Sequence, residues 1–157
     1  MDVSPTDNGG SGSIAKLPMA AAVVALIGLA DSIYLTIHHY TAEPVPCSLI
    51  AGCETVLTSP YAVVGGIPLA IFGAAAYFAA FALALLAAFG DTRMWTLFGI
   101  QTVIMATVTA WLIYVQAFII EAFCQFCLLS AATSFTLYIL YLISRFLGRG
   151  RNDIASA

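Results

Sequence analysis

Apolar positions along the chain gather into four long runs, at about residues 17–40, 67–89, 94–118 and 124–147, separated by short polar breaks. Each run is long enough to carry a helix across a hydrocarbon core of roughly 30 Å. The breaks carry turn chemistry. Gly90-Asp91-Thr92-Arg93 predicts a tight turn, which makes the second and third spans antiparallel neighbours, and residues 119–123 predict another short turn. Residues 41–66 form the only long connection; Pro44, Pro46 and Pro60 forbid a continuous helix there. Glu54 to Ser59 leaves room for one short helical turn lying on the membrane surface. Pro68 falls in the first turn of the second span, where a missing amide costs nothing. Trp95 and Tyr114 stand near the ends of the third span, as interfacial aromatics do. Residues 1–15 read as a disordered polar tail and residues 148–157 as a second polar tail. The expected architecture is an all-α membrane protein, a four-transmembrane-helix bundle in one domain spanning residues 16–147.

Composition sharpens this picture. The chain is 62% hydrophobic and only 8% charged, with a mean hydropathy of +1.00. Soluble domains average about 25% charged residues, so membrane lipid is the expected surrounding. Nothing is basic enough to grip nucleic acid. A cleaved signal peptide would compete for the first run. Against it, one Lys and two Asp precede the run, and no small-x-small site leads into a polar start. With four spans, both termini and the Gly90–Arg93 turn share one side. All five basic residues, Lys16, Arg93, Arg145, Arg149 and Arg151, lie there, and the two opposite loops have none. The positive-inside rule makes that side cytoplasmic. The expected location is therefore a cytoplasmic (inner) membrane, with the other loops facing the periplasm.

The four cysteines fall on that outer side as two close pairs, Cys47 with Cys53 and Cys124 with Cys127. Even, paired cysteines on an oxidising side suggest disulfide chemistry. Cys124-Gln125-Phe126-Cys127 is a C-x-x-C pair where the chain enters its last span. On a helix the two sulfurs share a face, and the first-turn amides favour a thiolate. Cys47 and Cys53 lie on a loop that contains proline and glycine and can approach another sulfur. Three other readings stay open. The span cysteines read also as small hydrophobes, the loop pair as a permanent brace, or all four as a zinc site. No metal is expected.

These residues carry a resemblance. Cys47-x5-Cys53-Glu54-x-Val56-Leu57-x-Ser59-Pro60-Tyr61-Ala62, then Gly66-Ile67-Pro68-Leu69-Ala70-x-Phe72-Gly73, then Cys124-Gln125-Phe126-Cys127 together resemble the bacterial branch of the vitamin K epoxide reductase family. DsbB-type membrane oxidases also have four spans and two cysteine pairs, but there the C-x-x-C comes first. The resemblance implies a membrane thiol–disulfide oxidoreductase that reduces a quinone, ubiquinone or menaquinone, and supports disulfide formation. It implies that Cys127 faces the quinone and Cys124 receives electrons from the loop. Cys53 would exchange with Cys124, and Cys47 would meet the redox partner. Ser59 matches a serine that recurs near the first pair. Animal members carry an Asn early in span two and a Tyr four residues after the last Cys; Leu69 and Ala131 stand there. A plain quinone is therefore the expected substrate. Many bacterial relatives carry a fused thioredoxin-like domain; the expectation here is a separate, DsbA-like thioredoxin-fold partner.

The quinone pocket is expected to draw on Ser59, Phe72, Trp111, Tyr114, Phe126 and Ala131, with Tyr77 among the other aromatics. Asp31 lies inside span one, where a carboxylate is costly and has a task or a partner. A hydrogen bond to Ser32, Tyr34 or a neighbouring helix is the expectation, with proton supply as the alternative. His38 and His39 are read as facing headgroups, and Glu121 as capping the helix amides. The run Gly73, Ala74, Ala75, Ala76, Ala79 and Ala80 predicts close helix packing. Outside the enzymes, the competing class is a membrane assembly protein whose disulfides brace its outer loops.

Overall fold

The structure is a computed structural model that describes residues 11–41, 43, 45–47 and 52–155. The expected N-terminal tail lies outside the described residues up to residue 10. Among the described residues four helices are long and apolar enough to cross a membrane, over Lys16–Thr41, Leu69–Ala88, Thr92–Ile120 and Gln125–Gly148. They belong to α1 (Ser11–Thr41), α3 (Leu69–Ala88), α4 (Thr92–Val115) with a π-helical turn at Gln116–Ile120, and α5 (Gln125–Ala155). A short helix, α2 (Cys53–Leu57), and a 3-10 turn at Pro60–Ala62 lie in the long connection. α1 and α4 each pack against both α3 and α5, which makes an up-down four-helix bundle.

α1 reaches back to Ser11 past Pro18, and α5 runs on to Ala155. Polarity marks where a bilayer ends, not where a helix must end. The turn between α3 and α4 forms because Gly90 takes φ +105° and the Asp91 carboxylate caps α4, accepting from the Arg93 amide at 2.9 Å.

One element has the period of a strand. Val63–Val64 (β1) pairs antiparallel with Ile67–Pro68 (β2) around Gly65 and Gly66, whose φ values are +60° and +84°. Two left-handed glycines between short apolar pairs are the signature of a two-residue hairpin. The pairing places Pro68 just before α3, as its N-cap, and not inside its first turn.

Small residues let the helices close on one another. Ala21, Ala22 and Ala25 of α1 meet Ala80 and Ala84 of α3, all 3% exposed or less. Gly28 receives the ring of Tyr77, whose hydroxyl lies 2.8 Å from both Thr133 and Ser134 of α5. A β-carbon at residue 28 would overlap that ring, and the hydroxyl bonds hold the ring in place. Gly28→Ala is therefore expected to cost about 1–3 kcal/mol of stability, read as a lower thermal unfolding midpoint in lipid discs. Trp95 stands in the first turn of α4 and is half-buried against the bundle. It stacks on Phe98 at 4.7 Å and donates its indole N–H to Ser144 at 2.7 Å. A half-buried indole N–H turned from water needs an acceptor, and Ser144 supplies one.

Candidate active site

Connectivity brings four chain segments to one end of the bundle. The end of α1, the long connection, the π turn and the start of α5 all meet there. Cys53 and Cys124 pack with Val56 in a single buried cluster, and Cys47 and Cys127 lie against it. Cys47 and Cys53 are joined as a disulfide, with Cα atoms 6.2 Å apart; Cys124 and Cys127 are free thiols. Exposure follows an order. Cys47 is half-buried, Cys53 and Cys124 are sealed, and Cys127 borders a cavity.

Two contacts dock the loop on the C-x-x-C segment. The Gln125 side chain donates to the Pro46 carbonyl at 3.4 Å. At Gly52 the backbone lies so close that a β-carbon would sit 2.6 Å from the Phe123 carbonyl oxygen and 3.0 Å from its nitrogen. Gly52 has φ −123°, which any residue adopts, so glycine is needed there for room alone. Gly52 precedes Cys53 and Phe123 precedes Cys124, so this contact sets how closely the two sulfurs approach.

α5 begins at Gln125, which leaves Cys124 at its N-cap and not within its first turn. The Cys124 sulfur accepts from the Cys127 amide at 3.4 Å, taking the place of an oxygen cap. A hydrogen bond from the Cys127 thiol pulls the Cys124 thiol down to about 7, helped by the Cys127 and Phe126 amides. Burial and the charge of Asp31 oppose that shift. The expected capping role of Glu121 is therefore filled by Cys124. Glu121 is exposed and takes a left-handed φ of 56°, reversing the chain between the π turn and α5.

The cavity beside Cys127 has a volume of about 650 Å3, within the usual range for small-molecule sites. Its exposed wall is mostly apolar, though polar side chains also line it, Gln101, Gln116, Ser130 and Ser134 among them. Such a space suits a flat apolar ring with polar ends. Ser59, Phe72 and Ala131 line it, as does Tyr77. Ser59 also donates to the Val56 carbonyl at 2.7 Å and so closes α2. Trp111, Tyr114 and Phe126 do not line it. Trp111 and Tyr114 stack on each other at 5.8 Å on the exposed face of α4, and Tyr114 meets the tilted ring of Phe118 in the π turn at 5.0 Å. Phe126 faces a smaller hollow of about 340 Å3 with Asp31 and Tyr34. Positions 111 and 114 sit three apart and share a helix face; here that face points outward.

His38 and His39 line the main cavity, where headgroup contact was the expectation, and His38 Nδ1 is 3.3 Å from the Glu43 carbonyl. Asp31 is 7% exposed, and neither carboxylate oxygen has a hydrogen-bond partner among the described residues. The expected bond to Ser32 or Tyr34 does not form. Among the described residues no group of three or more His, Cys, Asp and Glu side chains is placed to hold a metal. Sequence reasoning missed Gly52 and Gln116. Gln116 is 5% exposed and accepts the Cys124 amide on its Oε1 at 3.2 Å. A glutamine near the end of an otherwise mostly apolar span was the available signal.

Comparison with known proteins follows the same residues. The family model for the vitamin K epoxide reductase family matches residues 19–142. The thiol-disulfide oxidoreductase LTO1 of Arabidopsis thaliana is 35% identical over 122 residues, covering 70% of this chain and 32% of that protein. The chain thus spans about a third of the length of that relative.

Proposed function

Because this chain belongs to the vitamin K epoxide reductase family, we propose that it is a membrane thiol–disulfide oxidoreductase that passes electrons from protein thiols to a quinone. One observation carries the reading most strongly: the four cysteines run in order from a half-exposed surface to a largely apolar cavity. The name of its Arabidopsis relative supports thiol–disulfide exchange. Cavity size and lining support a quinone, ubiquinone or menaquinone, as the acceptor. The positive-inside distribution supports cytoplasmic termini, with residues 41–66 facing the periplasm of an inner membrane. Residues 16–147 form the functional unit, flanked by the two polar tails.

A bound quinone would supply a sink for two electrons and two protons. The chain does the rest. With the loop pair oxidised and Cys124 and Cys127 reduced, the protein holds the state that follows internal transfer. Cys127 delivers the electron pair at the cavity wall. Cys124, whose thiol pKa is lowered by the hydrogen bond from Cys127, then closes the disulfide with Cys127, and the two thiols give up two protons in all. A reduced, DsbA-like thioredoxin-fold protein next reduces the Cys47–Cys53 disulfide. The freed Cys53 thiolate attacks the Cys124 sulfur and expels Cys127; Cys47 then attacks Cys53 and expels Cys124. A leaving thiol of lowered pKa speeds that last step.

Thiol alkylation before and after quinone addition tests the proposal. The protein is reduced in full and placed in lipid discs. Quinone is expected to protect all four cysteines, the C-x-x-C pair first. Cysteines that ignore quinone would mark bracing disulfides and an assembly protein instead.

A further inference from the structure

We infer that Gln116 binds the quinone directly, holding Cys124 with its amide oxygen and offering its amide nitrogen to a carbonyl of the acceptor. This inference rests on the quinone reading above. Gln116 opens the π-helical turn after α4 and borders the same cavity as Cys127. π turns re-aim side chains and recur at functional sites. Its Oε1 accepts the Cys124 backbone N–H at 3.2 Å. That bond fixes the orientation of the side chain. A backbone N–H only donates, so the amide oxygen must face it, and Nε2 must point elsewhere.

Nε2 then carries two N–H donors. Among the described residues no acceptor reaches them. Nor is the nitrogen sealed in the protein, because the sealed and unpaired side-chain polar atoms among the described residues are the two Asp31 oxygens. A 5% exposed residue with an unpaired, unsealed amide nitrogen, set in a cavity wall, presents that nitrogen to the cavity. An occupant with a carbonyl oxygen would satisfy it. An occupant that covers this donor without offering an acceptor leaves it unpaired, which is unfavourable, so the site selects for such an oxygen.

The same amide serves two ends of the reaction. Its oxygen holds the amide of the cysteine that closes the disulfide. Its nitrogen faces the oxygen on which negative charge builds as electrons leave Cys127, and a fixed N–H dipole stabilises that charge without reorganising. Donation from Cys124 to Oε1 polarises the amide and strengthens the N–H groups opposite.

The test uses the full chain in lipid discs with all four cysteines oxidised, so that no electrons move. Ubiquinone labelled with carbon-13 at one carbonyl is added, and its isotope-edited infrared band is compared with the band in protein-free discs. The expected result is a band at lower frequency in the wild-type protein. In Gln116→Met the band returns to its lipid position, and quinone affinity falls about five- to tenfold, as for one lost hydrogen bond. Gln116→Asn keeps an amide but draws it back from the oxygen, and the same loss is expected. A lipid-like band in the wild type would overturn the inference, whatever the variants do. So would a shifted band that persists in both variants, since Gln116 would then merely hold the Cys124 backbone. If the wild type binds no quinone, the acceptor reading itself falls, and this result is distinct from the other two.

Discussion

Cys127→Ala is expected to lower quinone reduction by at least about a hundredfold, as for removal of the group that meets the substrate. The loss should be the same with any electron source, because Cys127 is the cysteine at the cavity wall. Cys47→Ala should behave differently. Cys47 is the half-buried member of the loop pair and lies on the other side of the sealed Cys53 and Cys124. Reduction driven by a reduced thioredoxin-fold protein should collapse in Cys47→Ala. Reduction driven by a small membrane-permeant dithiol, which can reach the C-x-x-C pair directly, should stay within about twofold of wild type. Quinol formation followed by absorbance measures both. Equal loss with both donors would remove the relay and leave two independent disulfides.

Gly52→Ala is the substitution with the next largest expected effect, though it alters no reacting group. The added methyl would meet the Phe123 carbonyl oxygen at 2.6 Å, and neither partner is a flexible side-chain tip that could swing away. Two backbone segments must part by several tenths of an ångström, and they are the segments that carry Cys53 and Cys124. Thiol–disulfide exchange needs in-line approach of the attacking sulfur, and a misplacement of about 1 Å can cost about a hundredfold in rate. Partner-driven quinone reduction should therefore fall about ten- to a hundredfold in Gly52→Ala, while dithiol-driven reduction persists. Trapping gives a second reading. In a Cys47→Ala, Cys127→Ala background the Cys53–Cys124 mixed disulfide should accumulate, and adding Gly52→Ala should suppress it. Undiminished trapping would show that the loop approaches Cys124 by a route that Gly52 does not control.

Much of the bundle was legible in the chain because a bilayer imposes length and polarity limits on each span. The four spans, the Gly90 turn and the short helix near Glu54 follow from those limits and from proline and glycine chemistry. The hairpin at Gly65 and Gly66 was legible too, in the glycine pair between valines and isoleucine, but proline-rich surroundings hid it. The pocket was read less well. Ser59, Phe72 and Ala131 line the cavity while Trp111, Tyr114 and Phe126 do not. Helices that are apolar on every face carry no stripe to say which side turns inward. An aromatic in such a helix is as well placed against lipid as against a ligand. Asp31 was misread for a related reason: a partner on another helix, present or missing, leaves no mark on the local sequence.

The sequence by itself determined how often the chain crosses the apolar layer and which loops share a side. Run lengths and alternating connections fix both before any packing occurs, so the two cysteine pairs were bound to meet at one end. Only the tertiary structure decided which sulfur faces the cavity, which backbone makes room at Gly52, and which way the amide of Gln116 points. Gly52 meets a segment about 70 residues further along the chain, and Gln116 reaches Cys124 only across the chain reversal between α4 and α5; no local pattern of side chains encodes either distance.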